Sequence, residues 1–102
     1  MDTPLDEIMS FARIVRERYS PKAIYLYGSQ VKGIAKANSD VDLAVIVEPM
    51  DSGRYMSMFS GLFSVAADFE SNIEPNLIVD DGAYDKFSFL AEVMETGLLI
   101  EG

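Results

Sequence analysis

Residues 28–47 read GSQVKGIAKANSDVDLAVIV, and residues 23–27 directly before them read AIYLY. The apolar runs on either side of the glycine-containing segment have the composition of buried strands. Side chains of a strand alternate between its two faces. In a strand predicted over Asp40 to Val47, Val41, Leu43, Val45 and Val47 share one face, while Asp40, Asp42, Ala44 and Ile46 share the other. The first set is wholly apolar and points into a core. Asp40 and Asp42 are thereby forced onto one face together, with Cα atoms roughly 6.5–7 Å apart. Neighbouring like charges raise each other's pKa unless a cation lies between them. A divalent metal with oxygen ligands is the simplest resolution. The plainer alternative makes Asp40 a loop cap after Asn38 and Ser39, and Asp42 a solvated acid at a strand end.

The turn before this strand carries the second half of the pattern. A strand, then Gly28-Ser29, then a short helix predicted over 29–32 leaves backbone N–H groups pointing outward, where they bind phosphate. Gly28 permits close backbone approach, and Ser29 adds a hydroxyl. Lys32 and Lys36 are close enough in sequence to reach phosphate oxygens, or are simply solvated. Gly28 and Gly33 have Walker A spacing, but that loop needs Lys and Ser/Thr after its second glycine, and Ile34 and Ala35 stand there. Asn38, Asp40 and Asp42 resemble the start of an EF-hand loop, but Leu43 replaces its glycine and Pro49 its final glutamate. Both lookalikes are rejected. A phosphate cradle beside a pair of carboxylates points to a nucleoside triphosphate handled with a divalent cation.

Holding two cations in phosphoryl chemistry usually takes a third carboxylate. The strand predicted over Ile73 to Val79, IEPNLIV, offers Glu74, with Asn76 on the same face. Glu74 is alternatively an ordinary surface acid. Pro75 places this strand at a sheet edge or its own end. Asp68 and Glu70 read as solvated acids of the preceding helix.

Composition narrows the chemistry further. The chain has 102 residues, 49% of them hydrophobic, which predicts one globular domain over 1–102. It contains no Cys and no His. Disulfides, thiolate metal sites, cysteine nucleophiles and histidine bases are excluded. Catalysis must run on carboxylates, hydroxyls, Lys/Arg or a hard metal. A net charge of −9 disfavours long nucleic acid as a partner of this chain alone. It suits solubility or a basic protein partner. No apolar run approaches a membrane span, and the acidic N-terminal residues do not form a signal peptide. The expected compartment is the cytoplasm.

Working outward, Thr3, Pro4 and Asp6 start a helix with Leu5, Ile8, Met9, Ala12 and Val15 at helical spacing. It stops before Ser20-Pro21. Lys36 to Ser39 form a polar loop. Asp51, Ser52 and Gly53 cap a long helix to about Ser71, with Tyr55, Met58, Phe59, Leu62, Phe63, Ala66 and Phe69 as its apolar positions. Asp80-Asp81-Gly82 form a turn. Phe87 to Thr96 form a last helix with Gly97 in the C-cap place, and Leu98 to Glu101 a short strand. The predicted order is α-β-α-β-α-β-α-β, an α/β (α+β) architecture with a small mixed sheet of about four strands flanked by helices.

Gly28, Ser29, Gly33, Ala35, Ser39, Asp40, Asp42 and Leu43 match, in order and spacing, the pattern of the minimal nucleotidyltransferases. The chain resembles these small prokaryotic members of the DNA-polymerase-beta-like superfamily along nearly its whole length, including Glu74-Pro75 and the final Glu95-Thr96-Gly97. Family members often carry Arg where Lys32 stands; Lys keeps the charge and loses the bidentate fork. The resemblance implies the nucleotidyltransferase fold. It implies two Mg²⁺ ions on Asp40, Asp42 and Glu74, with a triphosphate, ATP by default, bound by Gly28, Ser29, Lys32, Gly33 and Ser39. An acceptor hydroxyl attacks the α-phosphorus and pyrophosphate leaves, chemistry that rests on positioning and charge neutralisation. Such small proteins are similar to antitoxins paired with helical HEPN proteins, some of which they modify by adding AMP to a tyrosine. The implied partner is a small helical HEPN-type protein, or the chain associates with itself. Two other functions remain open. One is a non-catalytic nucleotide-binding antitoxin or regulatory subunit. The other is nucleotidyl transfer to a small molecule such as an aminoglycoside.

Overall fold

The alternation along the central strand organises the structure. A computed structural model describes residues 4–27, 41–82 and 88–101. Within these residues the elements are α1 (Pro4–Tyr19), β1 (Ala23–Tyr27), β2 (Val41–Val47), α2 (Ser52–Ala66), β3 (Ile73–Val79), α3 (Phe89–Thr96) and β4 (Leu98–Glu101). The strands form one sheet in the order β3-β2-β1-β4. β1 runs antiparallel to β2 and to β4, whereas β2 and β3 are parallel. This is the mixed four-stranded α/β sheet that the sequence predicts. The short helix over 29–32, the loop over 36–39 and Asp40 lie outside the described residues, as does Phe87.

Val41, Leu43, Val45 and Val47 all enter the main core, which they share with Ile8, Phe11, Ala12 and Val15 of α1 and Met58, Leu62, Val65 and Ala66 of α2. The opposite face of β2 buries Ala44 and Ile46 beneath Val93 of α3, with Tyr25, Tyr27, Ile78 and Leu90 around them. α1 and α2 thus cover one side of the sheet and α3 covers part of the other.

Three expectations are corrected. On α1 the buried stripe runs through Ile8, Phe11, Ala12 and Val15, while Leu5 and Met9 are exposed. Phe11 sits three residues from Ile8 and four from Val15, so it belongs to the same face. α2 is capped as expected, with the Asp51 side chain accepting from the Arg54 N–H at 2.9 Å, but it ends at Ala66 rather than near Ser71. Asp68 and Glu70 consequently lie in the turn beyond the helix. α3 begins at Phe89 because the Ser88 hydroxyl accepts from the Ala91 N–H at 3.1 Å. Gly97 does cap α3, in an extended rather than a left-handed conformation. Its lack of a side chain serves close approach: a Cβ there would lie 2.5 Å from the Val93 carbonyl and 3.1 Å from that of Leu26. Left-handed backbone occurs instead at Gly82, φ 83°, whose N–H is accepted by the Asp80 side chain at 3.0 Å.

Beyond α2 the Asp68 and Phe69 N–H groups are accepted by the Val65 and Ala66 carbonyls, a tighter turn that leaves the helical ladder. The carboxylate of Glu7, buried in α1, accepts the N–H groups of Glu70 at 3.0 Å and Ser71 at 2.8 Å, and the Ser71 hydroxyl at 2.5 Å. Glu7 thus holds the segment after this turn from across the structure, satisfying two backbone donors there. The Ser71 hydroxyl is the main reason that the Glu7 pKa lies below its ordinary value; burial opposes this, and the two backbone donors add to it. A carboxyl whose pKa is lowered by folding stabilises the fold fully at neutral pH and loses that contribution as pH falls through its folded value. Glu7→Gln should therefore destabilise the protein by about 1–3 kcal/mol at neutral pH. The gap from wild type should narrow on acidification, as urea unfolding at neutral and acidic pH would read.

Candidate active site

β2 starts at Val41, so Asp42 is its second residue; Glu74 is the second residue of β3. The parallel register pairs Asp42 with Glu74, and the antiparallel register pairs Asp42 with Tyr27, the last residue of β1. Three side chains on adjacent strands therefore form a row across one face, with neighbouring strands about 4.8 Å apart. Asn76 follows one face-sharing position further along β3, opposite Ala44. Asp42 is half-buried, Glu74 and Asn76 are exposed, and Tyr27 is half-buried.

Tyr27 ties the row together. Its ring meets Phe89 of α3 edge-on, with centroids 5.3 Å apart. Its hydroxyl pKa is raised, chiefly by burial, then by the negative charge of Asp42, with a smaller push from Glu74; a hydrogen bond with the Asn76 side chain opposes the rise. The Asn76 amide also donates to the Glu74 carbonyl at 3.4 Å. The phenol thus stands protonated beside both carboxylates, packed from below by α3.

Of the predicted site residues, Asp42 and Glu74 are brought together, with Asn76 adjoining. Gly28, Ser29, Lys32, Gly33, Ser39 and Asp40 lie outside the described residues. Tyr27 and Phe89 were not singled out by sequence reasoning. The signal for Tyr27 was its place as the last strand residue before Gly28, where antiparallel pairing with β2 puts it opposite an aspartate. Phe89 reaches the site through the packing of α3.

The donor set suits a hard divalent cation. Two carboxylates meet in register on one face, and the chain has no Cys or His to compete with them. Among the described residues no group of three acidic, His or Cys side chains forms; Asp40, the remaining acid of the predicted set, is not among them. Without metal, Asp42→Asn should let Tyr27 ionise at lower pH, because one of the charges holding its proton is gone. Ultraviolet phenolate titration in chelator, with Tyr27→Phe as the blank, reads this directly.

A cleft of about 360 Å³ opens beside Glu74, lined in part by Ala67, Phe69, Asn72 and Ile73. Among the described residues, no helix is long and apolar enough to cross a membrane. Curated proteins give no significant match to the chain. A family model described as a nucleotidyltransferase domain matches residues 8–95, from the second turn of α1 to the last turn of α3. That span takes in all three strands of the Tyr27–Asp42–Glu74 row, and the chain belongs to the nucleotidyltransferase domain family.

Proposed function

We propose that this chain is a Mg²⁺-dependent nucleotidyltransferase that moves AMP from ATP onto a hydroxyl of a partner protein, as the antitoxin half of a HEPN-type pair in the cytoplasm. The observation that carries the reading is the register that sets Asp42 beside Glu74 at the head of two parallel strands, within a chain of the nucleotidyltransferase domain family.

In this reading Asp42 and Glu74 hold the metal together with Asp40, in the two-ion arrangement expected of the family. The bound cation supplies charge neutralisation for the triphosphate and makes the acceptor hydroxyl easier to deprotonate. Gly28 and Ser29 hold the phosphates, with Gly33, Ser39 and Lys32 completing that cradle. Asn76, engaged with Tyr27 and the Glu74 carbonyl, buttresses the β3 side of the site, and Glu74 is the third acid. Tyr27 packs the floor against Phe89 and fixes where Asn76 points.

Incubation with α-labelled ATP, Mg²⁺ and the product of the adjacent reading frame tests the proposal. Label should pass to the partner protein. Asp42→Ala and Glu74→Ala should each lower transfer by roughly 100-fold or more, since each removes charge that positions the reacting groups. Chelation should abolish transfer, and Mg²⁺ should restore it. Absence of transfer with any triphosphate, combined with unchanged partner binding by Asp42→Ala, would establish the non-catalytic module instead. Label appearing only on an added aminoglycoside would establish small-molecule transfer.

A further inference from the structure

The end of the sheet away from Asp42 carries a second concave surface. α1 stops at Tyr19, and Ser20 turns left-handed, φ 48°, with its N–H donating to the Arg16 carbonyl at 3.0 Å. The chain then reverses into β1, and the Lys22 N–H donates to the Ile46 carbonyl at 2.7 Å. Two clefts of about 340 and 220 Å³ open between this corner and the start of α2; they share Tyr19, Met50 and Arg54 and so form one hollow. Tyr19 is seated in a notch of α2, where a Cβ at Gly61 would collide with its hydroxyl. Val47, the last residue of β2, lines the larger cleft. It stands roughly 17 Å along the strand from Asp42, so the hollow is separate from the carboxylate row.

The cations of this hollow are unusual for so acidic a chain. With 17 acidic residues against 8 basic ones, an exposed cation has many carboxylates to choose from. Arg16 pairs with Glu101 at 3.4 Å and Lys22 with Asp80 at 3.2 Å. Arg18 and Arg54 have no carboxylate partner among the described residues. Both line the hollow, one from the last turn of α1 and the other from the first turn of α2. Glu48 also lines it and pairs with neither, and the Asp51 side chain is occupied in capping α2.

Two guanidinium groups on separate helices suit a head group with several anionic oxygens. A phosphate monoester carries close to two negative charges at neutral pH, which the two arginines balance. Glu48 is then placed to accept from a hydroxyl or ammonium group on the rest of the ligand. The volume is that of a small-molecule site, and the net charge of −9 repels a long polyanion.

We infer that this hollow binds a small phosphate monoester, with Arg18 and Arg54 on its phosphate and Tyr19 and Met50 against its carbon body. The inference goes beyond the catalytic reading and does not depend on it.

Amide NMR of the isotope-labelled full chain tests this, with titration of inorganic phosphate and then glycerol phosphate in chelator. Saturable shifts should appear at Arg18, Tyr19 and Arg54. The dissociation constant should be on the order of a millimolar for phosphate and lower for glycerol phosphate. Arg18 and Arg54 are exposed, so Arg18→Gln and Arg54→Gln should fold normally, which circular dichroism checks. Each should weaken binding at least about tenfold. Arg13→Gln, also exposed but outside both clefts, should leave binding unchanged. Equal weakening by Arg13→Gln would show general charge attraction and overturn the site. Acetate binding as tightly as phosphate would overturn the ligand class. Absence of saturable shifts around the hollow, or shifts confined to residues 28–33, would overturn the proposal and leave the catalytic reading untouched.

Discussion

The structure depends on the orientation of β2. Its four valine and leucine positions are fully or almost fully buried in the main core, and the side-chain period of a strand is two. A slip of one residue against either neighbour would send Asp42 into that core and turn the core residues outward. The cost of burying an unpaired carboxylate is several kcal/mol, far more than any local contact could offset. The packing of β2 is thus what holds Asp42 on the side of the sheet where Tyr27 and Glu74 also point. Site geometry here follows from hydrophobic burial, not from polar contacts among the site residues.

A second constraint acts on β3. Its parallel pairing with β2 has to be reached through a helical crossover and a turn, and that turn is held by a carboxylate from the far side of the molecule. By accepting three hydrogen bonds from Glu70 and Ser71, Glu7 holds the segment between α2 and β3 and delivers the chain to Ile73 at a defined point. Glu74 follows one residue later. A residue at the start of the first helix therefore helps set where an acid of the third strand stands. Lys22 does something comparable at the other end of β3, where it pairs with Asp80 at 3.2 Å.

Much of this was legible in the linear sequence. The bounds of β1, β3 and β4 and the starts of α1 and α2 follow from local residue types: apolar runs for the strands, Pro4 and Asp51 for the helix starts. Alternation places Asp42 on the non-core face of β2 and Glu74 with Asn76 on one face of β3, and the parallel register then sets Asp42 beside Glu74. Three things were not legible, for physical reasons. The course of the chain between α2 and β3 depends on Glu7, more than sixty residues away. The exposure of Leu5, Met9, Phe59 and Phe63 depends on which part of a broad apolar surface meets the sheet, and periodicity cannot choose between overlapping stripes. Tyr27 and Phe89 enter the site through register and helix packing, both tertiary. The glycine-serine turn and Asp40, the most specific part of the sequence pattern, lie outside the described residues, so their reading rests on sequence and family.

Pro75 occupies the outer strand of the sheet, opposite Leu43. A strand at a sheet border ordinarily offers a row of free backbone donors and acceptors, on which any extended segment can crystallise. Proline has no N–H to offer, so the row is interrupted next to Glu74. Stray β-rich chains, including unfolded copies of this one, are denied a continuous template at the border where Glu74 lies exposed. The border can remain accessible to a substrate without becoming a seed for fibrils.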